Sequence, residues 1–193
     1  MTKLNKHILI PLLITSTAIA IFWIVSLSLN IVIVFVPGVI VSYILYLGTF
    51  YKQAPSPEWI LPLYLLALGI QFIHFTEEYL TGFTIEVSKL LGQAAYPVDY
   101  WLVFNMVAYF VFVIGGIILF RKIRMLMIIP LFFILVAVLL NSIAHILISI
   151  YVGGYFSGLY SALILFIIGS ILMKRVFDGS KVVKRNWENQ NQN

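Results

Sequence analysis

The sequence predicts an all-α membrane protein, a polytopic bundle of about six transmembrane helices with both termini in the cytoplasm. Hydrophobic residues make up 62% of the 193 residues and charged residues only 10%, whereas soluble domains carry about 25% charged residues. The mean hydropathy is +1.06. A soluble core does not need this much apolar surface, so most of the chain is expected to lie in lipid. Cysteine is absent, which excludes disulfides, thiolate metal sites and cysteine nucleophiles.

Six apolar runs are long enough to cross the hydrocarbon core, which takes about 20 residues of helix. The first is longer than the apolar core of a signal peptide, about 7–15 residues, and is predicted to be retained. The runs form one transmembrane domain, residues 1–176, followed by a polar and basic cytoplasmic tail, residues 177–193. The predicted crossings are 8–29, 31–51, 59–80, 100–120, 125–150 and a last one that begins at 155 or 159 and ends at 173.

The connection between the third and fourth crossings, "TGFTIEVSKLLGQAAYP", is long for a compact bundle. Ile85, Leu90 and Leu91, with Glu86 and Lys89, predict a short amphipathic helix on the membrane surface. One interpretation of this segment is a packed loop. The other is a lid over a site below, since connections of this length often have a function.

The distribution of Lys and Arg predicts the orientation. With six crossings, Lys89 is the only Lys or Arg on the side opposite the termini. Because cytoplasmic loops carry the excess of basic residues, both termini are predicted to be cytoplasmic in a multi-pass cell-membrane protein. The basic residues on the side of the termini include Lys3, Lys6, Lys52, Arg121, Lys122, Arg124, Lys174 and Arg175.

Two polar groups interrupt the apolar runs. In "QFIHFTEEYL" the residues His74, Glu77 and Glu78 stand at i, i+3 and i+4, so they share one helix face. In "VLLNSIAHILI" the residues Asn141 and His145 stand at i and i+4. The predicted topology brings both groups to the same depth, towards the extracytoplasmic side. Ionisable residues inside a membrane span are costly, and they mark candidate functional sites.

These residue types favour a metal-dependent membrane enzyme of the hydrolase type. His74, Glu78 and His145 are predicted to bind a divalent ion such as zinc, iron or manganese. Glu77 would then act as a base for a water activated by the metal. Asn141 would hydrogen-bond a carbonyl or orient water. The expected substrate is a lipid or another membrane-borne molecule.

The same motifs resemble a known family. "HFTEE" matches the HXXEE motif that names a family of multi-pass membrane proteins, and "NSIAH" matches its N-x-x-x-H motif. "YFSG", residues 155–158, is similar to the family's Tyr-x-Pro-Gly, with Ser157 in place of proline. The resemblance covers the chain from the third crossing to the sixth. It implies a membrane-embedded enzymatic activity, and it adds Tyr155 to the catalytic candidates.

Two other functions remain open at this stage. The Glu and His residues could relay protons in a metal-free carrier, or they could fix helix register without catalysis. The lipid bilayer is the expected partner in each case. No nucleic-acid partner is expected, because the basic residues follow the membrane pattern, and the oligomeric state is left open.

Overall fold

The computed structural model describes residues 5–25, 29–51 and 53–190, and within these ranges every regular element is helical. The helices are α1 (Lys6–Val25), α2 (Leu29–Gly48), α3 (Pro57–Thr81), α4 (Phe83–Leu90), α5 (Val98–Phe120), α6 (Ile128–Phe132), α7 (Asn141–Val152) and α8 (Leu159–Gln190). A π-helical segment, Phe133–Leu140, joins α6 and α7 into one continuous helical rod.

The predicted fold class is confirmed. Within the described ranges, five apolar stretches are long enough to cross a membrane, and α2 contributes a shorter one, Phe35–Gly48. An all-α membrane bundle of about six crossings follows. The five long stretches are Lys6–Ile24, Pro57–Thr81, Val98–Phe120, Arg124–Val152 and Leu159–Gly179.

Local sequence explains where α3 begins and ends. Pro57 occupies the first turn, where its missing N–H costs nothing. Gly82 ends the helix in the left-handed region, with φ 77°, which favours glycine because it has no Cβ. The chain turns there and enters α4 at once, so the short helix predicted for this connection is present.

Close packing holds α5 against α3. The buried Tyr64 of α3 donates a hydrogen bond to the carbonyl of Phe112, at 2.7 Å. A Cβ added at Gly115 would collide with the Tyr64 hydroxyl. The glycine therefore makes room for a tyrosine that satisfies its own polar atom inside an apolar core.

Helix α8 packs against α3, α7 and the π-helical segment. Gly169 permits this approach, because its added Cβ would lie 3.3 Å from the Leu139 backbone. The helix also continues past its apolar part, Leu159–Gly179, to Gln190. The tail predicted from residue 177 thus extends the last helix through Gln190.

The two ends of the bundle differ in charge. At one end, which we call the basic end, Arg124 donates to His7 Nδ1 at 3.3 Å, and Tyr46 donates to the His7 carbonyl at 2.9 Å. Arg175 donates to the Trp59 carbonyl and lies over the Trp59 ring at 4.7 Å. The opposite end holds the ends of α3 and α7 and the starts of α5 and α8. We call it the site end.

Candidate metal centre

Helix α3 carries the first half of the site on one buried face. Gln71, His74 and Glu78 are 7%, 0% and 7% exposed. Their spacing of three and four residues aligns them along the helix. Glu77 lies beside this face and is half-buried.

Helix α7 carries the second half, with His145 only 2% exposed. The π-helical segment ends directly before Asn141. A π-helix bonds each residue to the fifth one along, so it changes which side chains face inward. In the observed register both Asn141 and His145 face α3.

The side chains of His74, Glu78 and His145 converge. Glu78 Oε1 lies 3.1 Å from His145 Nε2 and 3.4 Å from His74 Nε2. The two imidazole rings are perpendicular, with centroids 4.7 Å apart. One possible ligand atom from each residue lies within 4.8 Å of the other two.

The hydrogen bond at its other nitrogen fixes the tautomer of His145. Its Nδ1 lies 2.6 Å from the carbonyl oxygen of Ser157. A carbonyl only accepts, so Nδ1 carries the proton and donates it. In neutral His145 the Nε2 lone pair is therefore bare and faces Glu78.

A longer chain of hydrogen bonds fixes His74. Its Nδ1 lies 2.8 Å from Ser161 Oγ, and that hydroxyl donates its proton to the Glu77 carboxylate. Ser161 can therefore only accept from His74, so Nδ1 is again the protonated nitrogen. The Nε2 of His74 accepts from Asn141 Nδ2 at 2.9 Å and also faces Glu78.

The cluster therefore sets two unprotonated ring nitrogens against one carboxylate oxygen, and the nitrogen of His74 also accepts from Asn141. These are three acceptors in a buried place, and they repel unless something positive lies between them. Either a metal ion or an added proton would supply that charge. The histidines are held in the tautomer that metal ligation requires, with the other N–H engaged by the protein.

The spacing also suits a metal. Zinc–ligand bonds of 2.0–2.1 Å in a tetrahedron place neighbouring ligand atoms about 3.3–3.4 Å apart. The two Glu78–His separations, 3.1 and 3.4 Å, fall close to that edge. The His, Glu and His donor set could hold a divalent ion.

Glu77 lies outside this cluster and binds the start of α8. Its Oε1 accepts from the Tyr155 hydroxyl at 2.9 Å and from the Tyr160 N–H at 3.0 Å. Its Oε2 accepts from the Ser161 N–H at 2.9 Å and from the Ser161 hydroxyl. A carboxylate is stabilised at a helix N-terminus by the free N–H groups and the helix dipole. Glu77 thus caps α8 from α3.

Tyr155 is 40% exposed in the loop between α7 and α8. Burial raises the pKa of its phenol above the usual value, and its hydrogen bond to Glu77 raises it further. Tyr155 therefore stays protonated at neutral pH and remains a donor to Glu77.

Gly158 lies against both histidine rings. Its φ is 87°, and an added Cβ would come within 2.8 Å of His145 and 2.9 Å of His74. Only a glycine fits this backbone conformation and this space. The glycine of "YFSG" is therefore part of the site.

Two aromatic rings cover the cluster at the site end. The rings of Phe83 and Phe156 lie 5.4 and 5.9 Å from His145, between centroids. Phe83 begins α4, and Glu86 of the same helix accepts from the Ser157 N–H at 3.0 Å. Proline has no N–H, so a serine at position 157 provides a link between the loop and α4 that a proline could not. Helix α4 therefore packs beside the loop that leads into α8.

The structure thus brings three predicted ligands together and places Asn141 beside one of them. It places Glu77 of α3 and Tyr155 of the loop before α8 in a separate, neighbouring pair at the start of α8. The sequence analysis missed Ser161, which connects His74 to Glu77. It also missed Glu86, which binds α4 to the loop at Ser157. Ser161 stands in the first turn of α8, where small polar residues are common, so its spacing carried no distinct signal.

Comparisons with known proteins identify no relative of this chain. No family profile, curated protein or solved structure matches the chain.

Proposed function

We propose that this chain is a membrane-embedded, metal-dependent enzyme of the hydrolase type that acts on a lipid or another membrane-borne substrate. His74, Glu78 and His145 would hold a divalent ion, zinc, iron or manganese. One observation carries the proposal. Two histidines, each with its Nδ1–H bonded to the protein, place their Nε2 atoms 3.1 and 3.4 Å from the same buried carboxylate oxygen, beside the Asn141 amide.

The ligand set favours catalysis over a purely structural metal. Two His and one Glu form a three-ligand set of the kind found in catalytic zinc sites, which keep a fourth position for water or substrate. When bound, the ion would polarise the scissile group and lower the pKa of water. In hydrolysis the water oxygen bonds to the acyl or phosphoryl group while the bond from that group to the leaving group breaks. One water proton passes to the leaving group, and the other is released from the product acid.

The remaining polar residues take supporting roles. Asn141 lies next to the cluster, with its amide 2.9 Å from His74 Nε2. Rotation of that amide by a half-turn would present its oxygen to the ion or to a water. Glu77 reaches His74 through Ser161, which supports a positioning role. Its predicted role as a base stays a prediction, and so does catalysis by Tyr155.

Membership of the HXXEE family is also part of this proposal. Five residues from the three matching motifs contact one another in space although they are up to 84 positions apart. The residues are His74, Glu78, Asn141, His145 and Gly158. The loop charges further support a site end that faces the outside of the cell.

The test begins with the purified protein in lipid nanodiscs. Metal content would be measured by mass spectrometry, and hydrolysis would be followed on a total membrane-lipid extract with and without a chelator. We expect about one ion per chain and lipid cleavage that stops when the ion is removed. A protein that binds no divalent ion by calorimetry would overturn the metal site. A loaded protein that cleaves neither lipids nor membrane-spanning peptides would overturn the hydrolase.

The same geometry also favours a metal-free proton site. The 3.1 Å between Glu78 Oε1 and His145 Nε2 is a hydrogen-bond distance once a proton lies between them. Such a site would serve a proton-relay carrier. Proton uptake by protein-loaded liposomes, undiminished by a chelator, would support this second function and contradict the first.

A further inference from the structure

Two buried polar atoms near the cluster have no partner. In the part of the chain that the structure describes, the only buried side-chain N or O atoms without a hydrogen bond are Gln71 Oε1 and Ser149 Oγ. Each residue is 7% exposed. An unpaired buried polar group is destabilising, so these two atoms need an explanation.

Both atoms lie on the faces that carry the ligands. Gln71 precedes His74 by three residues on α3, and Ser149 follows His145 by four residues on α7. One therefore lies a turn deeper than the cluster, and the other lies a turn nearer the site end. The cluster stands between them.

Ser149 differs from many other hydroxyls in the helices that the structure describes. The Ser149 hydroxyl makes no hydrogen bond to the carbonyl four residues earlier, and it makes none to any other protein atom. A partner outside the protein would account for this difference. The hydroxyls that do bond to the carbonyl four residues before them are those of Thr15, Ser42, Thr49, Thr76, Thr81, Ser88 and Ser170.

We propose that Gln71 and Ser149 bind water, and that they mark the two ends of a water path through the cluster. Gln71 Oε1 needs a donor and the Ser149 hydroxyl needs an acceptor, and water supplies both. With a rise of 1.5 Å per residue, Gln71 to Glu78 and His145 to Ser149 together span about 16 Å. The path therefore covers about half of the 30 Å hydrocarbon core.

The role of this water path rests on the proposed function, since a hydrolase in lipid must bring water to its ion. The cluster supplies polar contacts between the two ends. Asn141, the two histidines and Glu78 all present polar atoms there. Water bound at Ser149 would meet these polar atoms one turn further along α7.

Hydroxyl-radical footprinting by X-ray radiolysis tests the path, because radicals form in place from bound water and no reagent has to enter. The protein would be held in nanodiscs and analysed by mass spectrometry. In the wild type we expect oxidation of His74, which is 0% exposed. Tyr64 is also 0% exposed but has its partner in Phe112. It should stay unmodified.

Single cysteines sharpen the test, since the chain has none of its own. Gln71→Cys and Ser149→Cys should be oxidised several-fold faster than the lipid-facing controls Ile73→Cys and Leu147→Cys. These controls lie two residues away on the same helices and are 63% and 59% exposed to the surroundings of the bundle. Equal or slower oxidation at Gln71 and Ser149 would show a dry interface and overturn the path.

Footprinting of the metal-free protein tests the water path separately from the metal site. After chelation, oxidation of wild-type His74 should persist, because the waters are held by protein atoms. Oxidation that requires the ion would mean water on the metal alone and would overturn the path while leaving the metal site intact. Persistent oxidation in a protein that never binds metal would support the path and contradict the enzyme.

Discussion

His74 and Glu77, three residues apart on α3, are connected through a side chain of another helix. Ser161 of α8 accepts the His74 Nδ1–H and donates its own hydroxyl to Glu77. The chain of bonds fixes the His74 tautomer and ties the start of α8 to the site. Loss of a group of this kind, which holds the second nitrogen of a ligating histidine, typically lowers metal affinity or activity by about 10–100-fold.

Ser161→Ala should weaken metal binding by about 10–100-fold, because His74 loses the acceptor that orients its ring. Titration calorimetry with Zn²⁺ measures the change. Ser170→Ala is the matched control, since that hydroxyl bonds only to the Phe166 carbonyl on the same helix and is exposed. Equal affinities of the two variants would show that Ser161 does not position His74.

Glu78→Gln should abolish metal binding, because a neutral amide is a poor ligand and the two histidines alone leave the ion without charge compensation. Metal content per chain would be measured after purification in the presence of zinc. Glu58→Gln, at the opposite end of the same helix, should keep the wild-type content. A Glu78→Gln protein that retains its ion would remove Glu78 from the ligand set.

The membrane fold could be predicted from the sequence because its causes are local. Long apolar runs give helices in lipid, and Gly82 and Pro57 mark the ends of α3 within a few residues. The pairing of His74 with Glu78 followed from helical periodicity in the same way. Each of these inferences needs only neighbours along one helix.

The contacts of Glu77 could not be predicted, because they depend on another helix. Helical spacing puts Glu77 beside Glu78, and the sequence analysis therefore predicted a base near the ion. The start of α8 offers two N–H groups and a hydroxyl to Glu77, and only the packed structure shows this. The π-helical segment before Asn141 is likewise a result of packing, because its apolar sequence carries no signal for it.

Gly158→Ala should disrupt the site itself. The added methyl would overlap both histidine rings, and the left-handed backbone costs about 1–2 kcal/mol more for alanine. We expect a lower melting temperature together with loss of metal binding.

Gly153→Ala separates these two effects. Gly153 is also left-handed, with φ 72°, but nothing lies within 4 Å of its added Cβ. This variant should show a similar conformational cost and should keep its metal. If both alanine variants bind metal equally, the rings have room to move and the contact does not shape the site.

Glu77→Gln decides between the two roles of this glutamate. The carboxylate accepts from four donors, two at each oxygen. An amide offers only one oxygen, so two donors would lose their acceptor. If Glu77 positions His74 through Ser161, metal affinity should fall about 10–100-fold. If Glu77 only moves protons, the affinity should stay at the wild-type value while hydrolysis is lost.

Two further variants make this result specific. Tyr155→Phe removes one of the four donors and leaves the Ser161 link intact, so its metal affinity should remain close to that of the wild type. The double variant Glu77→Gln with Ser161→Ala should bind metal no more weakly than the weaker single variant, because both changes break the same chain of bonds. Additive losses in the double variant would mean that Glu77 and Ser161 act on the site independently. In that case Glu77 would affect the ion by a route other than His74.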